Sequence, residues 1–522
     1  MNTRLAFLIT WLACFLTFFW RFAPTGELSG EFSSDAAIPV IMANQPRLSW
    51  YEFYYHGQDR FGGFTSALGW VVQQVFQVHW TPTAAFVLNA LILSLGVVAL
   101  CAAAFRDRPT LPLAPCAAAF ISSLLLCRFE SIENWVLSTA HPYAAGVGLA
   151  SVAIAAIADC CREKPSLSRR VAPAAISFLA CWLTPMSLPM LLMAWVPLSL
   201  RAGGRPLVPG TLLTALLILS GFGIERLVRL TYVYNLQQTY ANEMLGQTFR
   251  PITDTSIDVQ RLPQSAQQLF QRLRRRLSSY EWNLVLPGFL LIAPVCWIWW
   301  TQRSTREPID VAGPMILACL AAALGNFTGA ALASWSRLND YPLRYLVPTV
   351  AFMIIAASIG VVYVGGLLAA LLTPQMRTRA MAVMAVVGGV CAATMPRANG
   401  ETFRQMHRTA QTLADNESRV VVFGRYWGSY VWQGLNPYVL AVPLEGQWTR
   451  NPGAIRDLPN YQNAFLCAYA HEPPAPAVLE QFHTSWRRTA RPPVESPLCN
   501  LFEYRSENAT ATRPLLPSRG GG

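Results

Sequence analysis

Two carboxylates, Glu31 and Asp35, stand just after the first apolar run of the chain, in Gly30-Glu31-Phe32-Ser33-Ser34-Asp35. A carboxylate beside a lipid surface can take a proton from a hydroxyl as its oxygen attacks an activated carbon. Asp35 suits that task because it opens an apolar, helix-like stretch from Asp35 to Asn44, read as a short amphipathic segment. The same position suits a helix N-cap, since the side chain can accept from free backbone N–H groups. Both readings of Asp35 stand at the level of sequence, with Glu31 either a supporting acid or an ordinary loop residue. A second polar group follows in Tyr54-Tyr55-His56-Gly57-Gln58-Asp59. Stacking on Tyr55, with donors and acceptors from His56, Gln58 and Asp59, is how a polar ring is commonly held.

Cationic residues supply the complementary half. Arg337 and Arg344 flank Leu338-Asn339-Asp340-Tyr341-Pro342. Their guanidinium forks can grip phosphate oxygens and stabilise charge on a departing phosphate. Snorkelling to lipid headgroups is the competing account of Arg344. Arg226 and Arg229 beside Glu225 offer a second phosphate site or, equally simply, a salt-bridged loop. His141 follows Glu130, Glu133, Asn134 and Trp135 and opens His141-Pro142-Tyr143. It reads either as a hydrogen-bonding residue at a helix end or as a group that orients a substrate or a carboxylate. His56, His141 and the outer acids could together hold a divalent metal ion, but the chain has no His-Glu-x-x-His spacing to mark one.

The elements that must position these residues are set by lipid. Of 522 residues, 53% are hydrophobic and 13% charged, and the mean hydropathy is +0.32, which excludes an ordinary soluble enzyme. Apolar stretches suited to a bilayer lie near 3–20, 81–104, 110–127, 141–159, 171–185, 186–200, 206–224, 282–300, 310–330, 344–371 and 380–395. The expected fold class is therefore a polytopic α-helical membrane protein of about eleven spans with a C-terminal extracytoplasmic α/β domain. Thr184-Pro185-Met186-Ser187-Leu188-Pro189 is either a turn between two spans or a kink in one. Two spans leave the basic turns Arg106–Arg108, Arg162–Arg170, Arg201–Arg205, Arg303–Arg306 and Arg377–Arg379 all inside, as the positive-inside rule asks. The first apolar stretch is then a retained signal anchor.

This topology predicts a membrane domain over 1–395 with external loops 21–80 and 225–281, and an external C-terminal domain over 396–522. Gly62 to Trp80 reads as a helix lying in the interface. Residues 225–281 carry tyrosines and then the arginine group Arg272-Leu273-Arg274-Arg275-Arg276, as a cover over the site or a solvated helix pair. In the C-terminal region, Arg419–Phe423, Tyr438–Pro443 and Ala464–Tyr469 read as strands, with a turn at Gly424-Arg425-Tyr426-Trp427 and helical or mixed sequence through Trp432. The formal charge of +12, with Lys164 the only lysine, points to anionic lipid and phosphate rather than nucleic acid. Most of the 12 cysteines lie in apolar segments as small hydrophobes. Cys467 and Cys499 differ, because an external setting permits a disulfide between them.

The segments from Glu31 to Asp35, Tyr54 to Gly63, His141 to Ala144 and Arg337 to Tyr345 resemble bacterial members of the GT-C membrane glycosyltransferase superfamily. That group includes the protein mannosyltransferases and the lipid A aminoarabinose transferases. The resemblance implies a polyprenyl-phosphate sugar donor, an extracytoplasmic glycan, lipid or protein acceptor, and a bacterial inner membrane location with the active site on the periplasmic face. It implies the base role for Asp35, support from Glu31, and lipid-phosphate binding by Arg337 or Arg344, with Tyr345 in the same substrate-binding segment. The family often carries two adjacent acids in the first loop, whereas three residues separate Glu31 from Asp35. The alternative from another class is a transporter or flippase of a lipid-linked or anionic substrate, which would place its key polar groups mid-span, often in paired repeats. Asn326 is among few strongly polar residues of the later spans, and no convincing repeat is evident.

Overall fold

The computed structural model describes residues 3–22, 32–45, 62–107, 113–129, 143–161, 167–200, 209–241, 259–279, 281–283, 312–338, 340–341, 343–370, 400–415, 418–444 and 457–507, with isolated positions 286, 290, 301, 376, 390, 394 and 455. The chain runs through α1 (Thr3–Phe22), α2 (Ser34–Ala43), α3 (Phe64–Phe76), α4 (Pro82–Ala104), α5 (Ala114–Arg128), α6 (Tyr143–Cys160), α7 (Leu167–Leu183), α8 (Ser187–Leu200) and α9 (Pro209–Ala241). It continues through α10 (Leu262–Arg276), α11 (Ala312–Leu332), α12 (Ser334–Leu338), a 3-10 turn (Leu343–Leu346), α13 (Val347–Ala370) and α14 (Glu401–Leu413). Five of these helical stretches are long and apolar enough to cross a membrane: Arg4–Arg21, Pro82–Ala104, Tyr143–Cys160, Ala312–Leu332 and Leu343–Leu368. The protein is thus a polytopic helical membrane protein. Apart from positions 282, 283, 286 and 290 of the first and 390 and 394 of the second, the expected spans 282–300 and 380–395 lie outside the described residues.

Local chemistry accounts for the helix ends. Thr81 caps α4 by accepting from Ala84 N at 3.2 Å, and Pro82 fills a first-turn position that needs no N–H. The segment at Thr184 separates two helices, α7 and α8, and Ser187 Oγ closes the break by donating to Ala180 O at 2.9 Å. α4 and α6 meet backbone to backbone: a Cβ on Gly96 would lie 2.3 Å from Gly148 O, so no side chain fits between them. An Arg106–Asp159 ion pair joins the far ends of these two helices, the ends the charge pattern puts together on one side. Asn326 of α11 donates to Tyr345 O at 2.9 Å and to Thr349 Oγ1 at 2.8 Å. It therefore fastens the 3-10 turn to the helix beneath it.

Three sequence expectations are corrected here. The stretch from Asp35 to Asn44 is not amphipathic: eight of the ten α2 residues are buried, because α3, α4 and the C-terminal domain cover it from several sides. The loop expected from residue 225 begins later, since α9 continues to Ala241 with no Gly or Pro between 224 and 241 to stop it. Trp80 packs inward against Val40, Ala43 and Ala85 rather than lying in the interface. It is held by Asn44, whose side chain accepts from Trp80 N at 2.9 Å and donates to Trp80 O at 2.7 Å. α3 itself does expose Val71, Val75 and Phe76, the apolar face expected of a helix at a lipid surface.

Beyond α14 the chain builds a mixed sheet from β1 (Val420–Gly424), α15 (Tyr426–Leu435), β2 (Val439–Pro443), β3 (Asn463–Ala468), β4 (Val478–Gln481), β5 (Thr484–Arg488), β6 (Val494–Glu495) and β7 (Asn500–Ser506). The order is β2-β1-β3-β7-β5-β4, with β6 on β7. β1 is parallel to β2 and β3, with Val421 opposite Leu440 and Ala464, while β7 runs antiparallel to β3. β1 is buried throughout, as a continuous Val-Val-Val-Phe run demands. One face of the sheet packs with α14, α15 and residues Phe32, Ala36, Ala37, Ile38, Ile41 and Met42 of the α2 segment. Leu458, Leu479, Trp486 and Tyr504 cover the other. Cys467 and Cys499 form a disulfide, Cα atoms 5.5 Å apart, tying the end of β3 to the start of β7.

Candidate functional site

Asp35 lies in the first turn of α2, half-buried, where the helix dipole favours a negative charge. Ser33 holds the N-cap position without a side-chain cap bond, so Asp35 is not the N-cap, and that expectation is corrected. Its carboxylate has another partner: Tyr426 Oη donates to Asp35 Oδ1 at 2.5 Å. Tyr426 is the first residue of α15, and the neighbouring Ser34 stitches the two helix starts together. Ser34 Oγ donates to Tyr426 O and accepts from Tyr430 N at 3.2 Å. Buried Ser34 thus touches both ends of the first turn of α15, and Asp35 sits beside it at the seam between the membrane body and the C-terminal domain.

The seam coincides with the carboxyl ends of β1 and β3. Arg425, just after β1, pairs with Glu472, just after β3, and Glu472 Oε2 also accepts from Tyr469 N at 2.8 Å. Tyr469 and His471 stack with ring centroids 5.6 Å apart, and Trp427 is largely exposed. Aromatic faces, an ion pair and a carboxylate therefore share one edge of the sheet.

The second group of candidates surrounds the 3-10 turn. Arg337 lies in the last turn of α12, and its carbonyl accepts from Asp340 N at 2.9 Å. Asp340 and Tyr341 both hold positive φ, 56° and 49°, and the bend is fixed by contacts from α10. Arg272 pairs with Asp340, and Ser265 Oγ lies 2.7 Å from Tyr341 Oη within hydrogen-bonding reach. Arg344 lies over the Tyr345 ring at 5.5 Å. The helix α10 of the 225–281 region thus packs on the Arg337–Tyr345 segment through Arg272 on Asp340 and Ser265 on Tyr341.

Arg226 is on α9, with Nε 4.0 Å from Glu225 Oε2 and the guanidinium 5.0 Å from the Phe222 ring. Arg229 Nε donates to buried Glu225 Oε1 at 2.8 Å, an i,i+4 pair within one helix rather than across a loop. Removing either partner of such a buried pair leaves an uncompensated charge, so the pair is structural for α9. Glu31, Tyr55, His56, Gln58, Asp59 and His141 lie outside the described residues. Among the described residues no three His, Cys, Asp or Glu side chains gather where a metal ion could be held.

Sequence reasoning missed Ser34 and Tyr426 as site residues, and it named Arg272 and Asp340 without pairing them. The one available signal was the Gly424-Arg425-Tyr426-Trp427 turn after an apolar strand, the place where parallel sheets present side chains to ligands.

No protein-family model matches the chain, and no curated protein matches it. Among solved structures, the chain is similar to ArnT from Cupriavidus metallidurans bound to undecaprenyl phosphate, at 14% identity over 97% of this chain and 99% of that one, with a TM-score of 0.49. The apo state of ArnT from the same organism aligns at 13% identity over 96% of this chain and 97% of that one, also with a TM-score of 0.49. The Archaeoglobus fulgidus oligosaccharyltransferase, in complex with Zn and sulfate, aligns at 12% identity over 88% of this chain and 68% of that one, with a TM-score of 0.44. At such TM-scores these likenesses carry no inference about the reaction, which rests on the chain's own residues.

Proposed function

We propose that the protein is a membrane glycosyltransferase that moves a sugar from a polyprenyl-phosphate donor to an extracytoplasmic acceptor. The observation that carries this reading is the placement of Asp35: a half-buried carboxylate at a helix start, held by a tyrosine hydroxyl at the edge of an α/β domain that packs on a membrane body. The first-loop and arginine segments that resemble the GT-C superfamily support it.

In this reading the donor enters from the bilayer and its phosphate meets Arg337 and Arg344, whose forked donors match phosphate oxygens. Tyr55, His56, Gln58, Asp59, His141 and Tyr345 line the sugar and acceptor, and Arg226 is a further phosphate contact. Asp35 takes the proton of the acceptor hydroxyl while its oxygen bonds to the anomeric carbon. The bond from that carbon to the phosphate oxygen breaks in the same displacement. Polyprenyl phosphate leaves with the electron pair, its charge is neutralised by arginine, and configuration inverts. Glu31 supports the base. The reaction takes place at the periplasmic face of the inner membrane.

The test is release of polyprenyl phosphate by protein reconstituted in lipid, given a panel of polyprenyl-phosphate sugars with cell-envelope acceptors. The expected result is release by wild type and a loss of at least about 100-fold in Asp35→Asn, the size of a general-base contribution, with folding unchanged. Release by Asp35→Asn at the wild-type rate would remove Asp35 from the base role. Movement of the donor across the bilayer, without release, would instead identify a transporter.

A further inference from the structure

The sheet of the C-terminal domain is wound in two directions from its centre. β1 leads through α15, on the face that packs against α2, to β2. The chain returns to β3 past Leu458, on the opposite face. Connections that leave toward opposite faces open a crevice at the carboxyl ends of β1 and β3, where α/β sheets present functional groups. The residue delivered there by β1 is Tyr426, and its hydroxyl ends on Asp35 of the membrane body, 391 positions earlier in the chain.

We propose that Tyr426 is a positioning residue for Asp35, so that the C-terminal domain completes the reacting centre. This rests on the reading of Asp35 as base. An aspartate side chain rotates about two bonds and presents either oxygen, whereas a general base must meet its proton at about 2.6–3.2 Å. The phenol at 2.5 Å is a charge-assisted bond of the strong class. Tyr426 cannot swing away from it. The residue is 5% exposed, its carbonyl is taken by Ser34, and its ring packs edge to face on Tyr430 at 5.9 Å and on Trp427 at 5.1 Å. The bond therefore fixes one carboxylate oxygen and the plane of the group before the acceptor arrives, and this preorganisation acts on the rate rather than on donor binding.

Tyr426→Phe removes the hydroxyl and keeps the ring. Its kcat falls about 10- to 100-fold, the effect of losing one hydrogen bond to a charged group, while donor and acceptor KM stay within about twofold and the melting temperature drops by several degrees, with the protein still folded at the assay temperature. A second measurement is independent of turnover. Infrared difference spectra of wild type against Tyr426→Phe show a shifted carboxylate stretch, and the same difference taken in the Asp35→Asn background lacks it. A wild-type kcat in Tyr426→Phe, alongside an inactive Asp35→Asn, overturns the positioning role and leaves the function intact. Absence of the carboxylate band shift overturns it as well. Full activity in Asp35→Asn removes the premise and the proposal together.

Discussion

The packing of α2 against α15 can be broken at one atom. Gly434 faces α2, and a Cβ placed on it would lie 2.6 Å from Ala37 Cβ, 3.0 Å from Ala37 Cα and 3.3 Å from Phe32 Cζ. Non-bonded carbons rest about 3.5–4.0 Å apart, so Gly434→Ala must push the two helices apart by about 1 Å. Alanine gains about 1 kcal/mol of helix propensity over glycine, and overpacking costs about 1–3 kcal/mol. The clash wins, because Ala37 Cβ is anchored to a helix backbone and has no rotamer by which to yield. A 2.6 Å contact between two backbone-anchored carbons places the overpacking cost at about 2–3 kcal/mol, so the net loss is about 1–2 kcal/mol, or about 4–10 °C in the melting of a domain near 100 residues. The same displacement lengthens the Asp35–Tyr426 contact from 2.5 Å to about 3.5 Å, past the limit of a hydrogen bond. Transfer activity, measured as polyprenyl phosphate release below the melting point, therefore falls about 10-fold or more. Ala37→Gly removes the facing Cβ and costs about 1 kcal/mol alone. Combined with Gly434→Ala it offsets about 1 kcal/mol of the summed losses, so the double variant is about as stable as Gly434→Ala alone. A Gly434→Ala protein that melts and turns over as wild type, or a double variant no better than the sum of its parts, refutes the argument.

Two further outcomes test the C-terminal domain. The Cys467–Cys499 bridge closes a separation of 32 residues, and its loop-closure entropy is worth about 3–4 kcal/mol. Cys467→Ser with Cys499→Ser should lower the domain's denaturation midpoint accordingly, and an unchanged midpoint would count against the bridge. Burial pushes the Tyr504 phenol above its ordinary value of 10.0, with Arg488 pulling it partly back. The folded form keeps a proton that the unfolded chain releases, so this contribution is complete below pH about 10 and is lost as pH rises through the folded pKa. Melting temperature should fall above pH 10 in wild type, and less steeply in Tyr504→Phe. That variant also loses the bond from Tyr504 Oη to Pro476 O at 2.6 Å, worth about 1 kcal/mol. Parallel pH profiles for the two proteins would contradict the assignment.

Much of the scaffold is legible in the chain because its signals are local. The apolar run at 82–104 is long enough to be a span whatever surrounds it, and the helix there follows it closely. The strands at Val420–Gly424, Val439–Pro443 and Asn463–Ala468 match their apolar segments, since a strand buried on both faces must be apolar along its length. The proline after Thr184 marks the break between α7 and α8 for an equally local reason. The α2 segment shows where this legibility ends. Its residues suggest a half-exposed helix with a capping aspartate, yet eight of its ten residues are buried by elements from distant parts of the chain, and only their arrival leaves Asp35 half-buried at the seam.

Sequence alone determined that this protein's solvent is lipid, that acids and aromatics follow the first apolar run, that arginines cluster at 337–344, and that an α/β domain comes last. Composition and periodicity act within a few turns of chain, so these features need no knowledge of the fold. Only the tertiary structure decided that Asp35 meets Tyr426 rather than capping its own helix, that Arg272 meets Asp340, and that Cys467 and Cys499 are bonded. The first two are contacts between residues whose own neighbours in sequence say nothing of the partner, while the cysteine pair was permitted by its external setting and settled only by the fold. The partner is chosen by how helices and strands pack, and that choice is made by the burial of apolar faces, not by the polar groups that meet once the faces have closed.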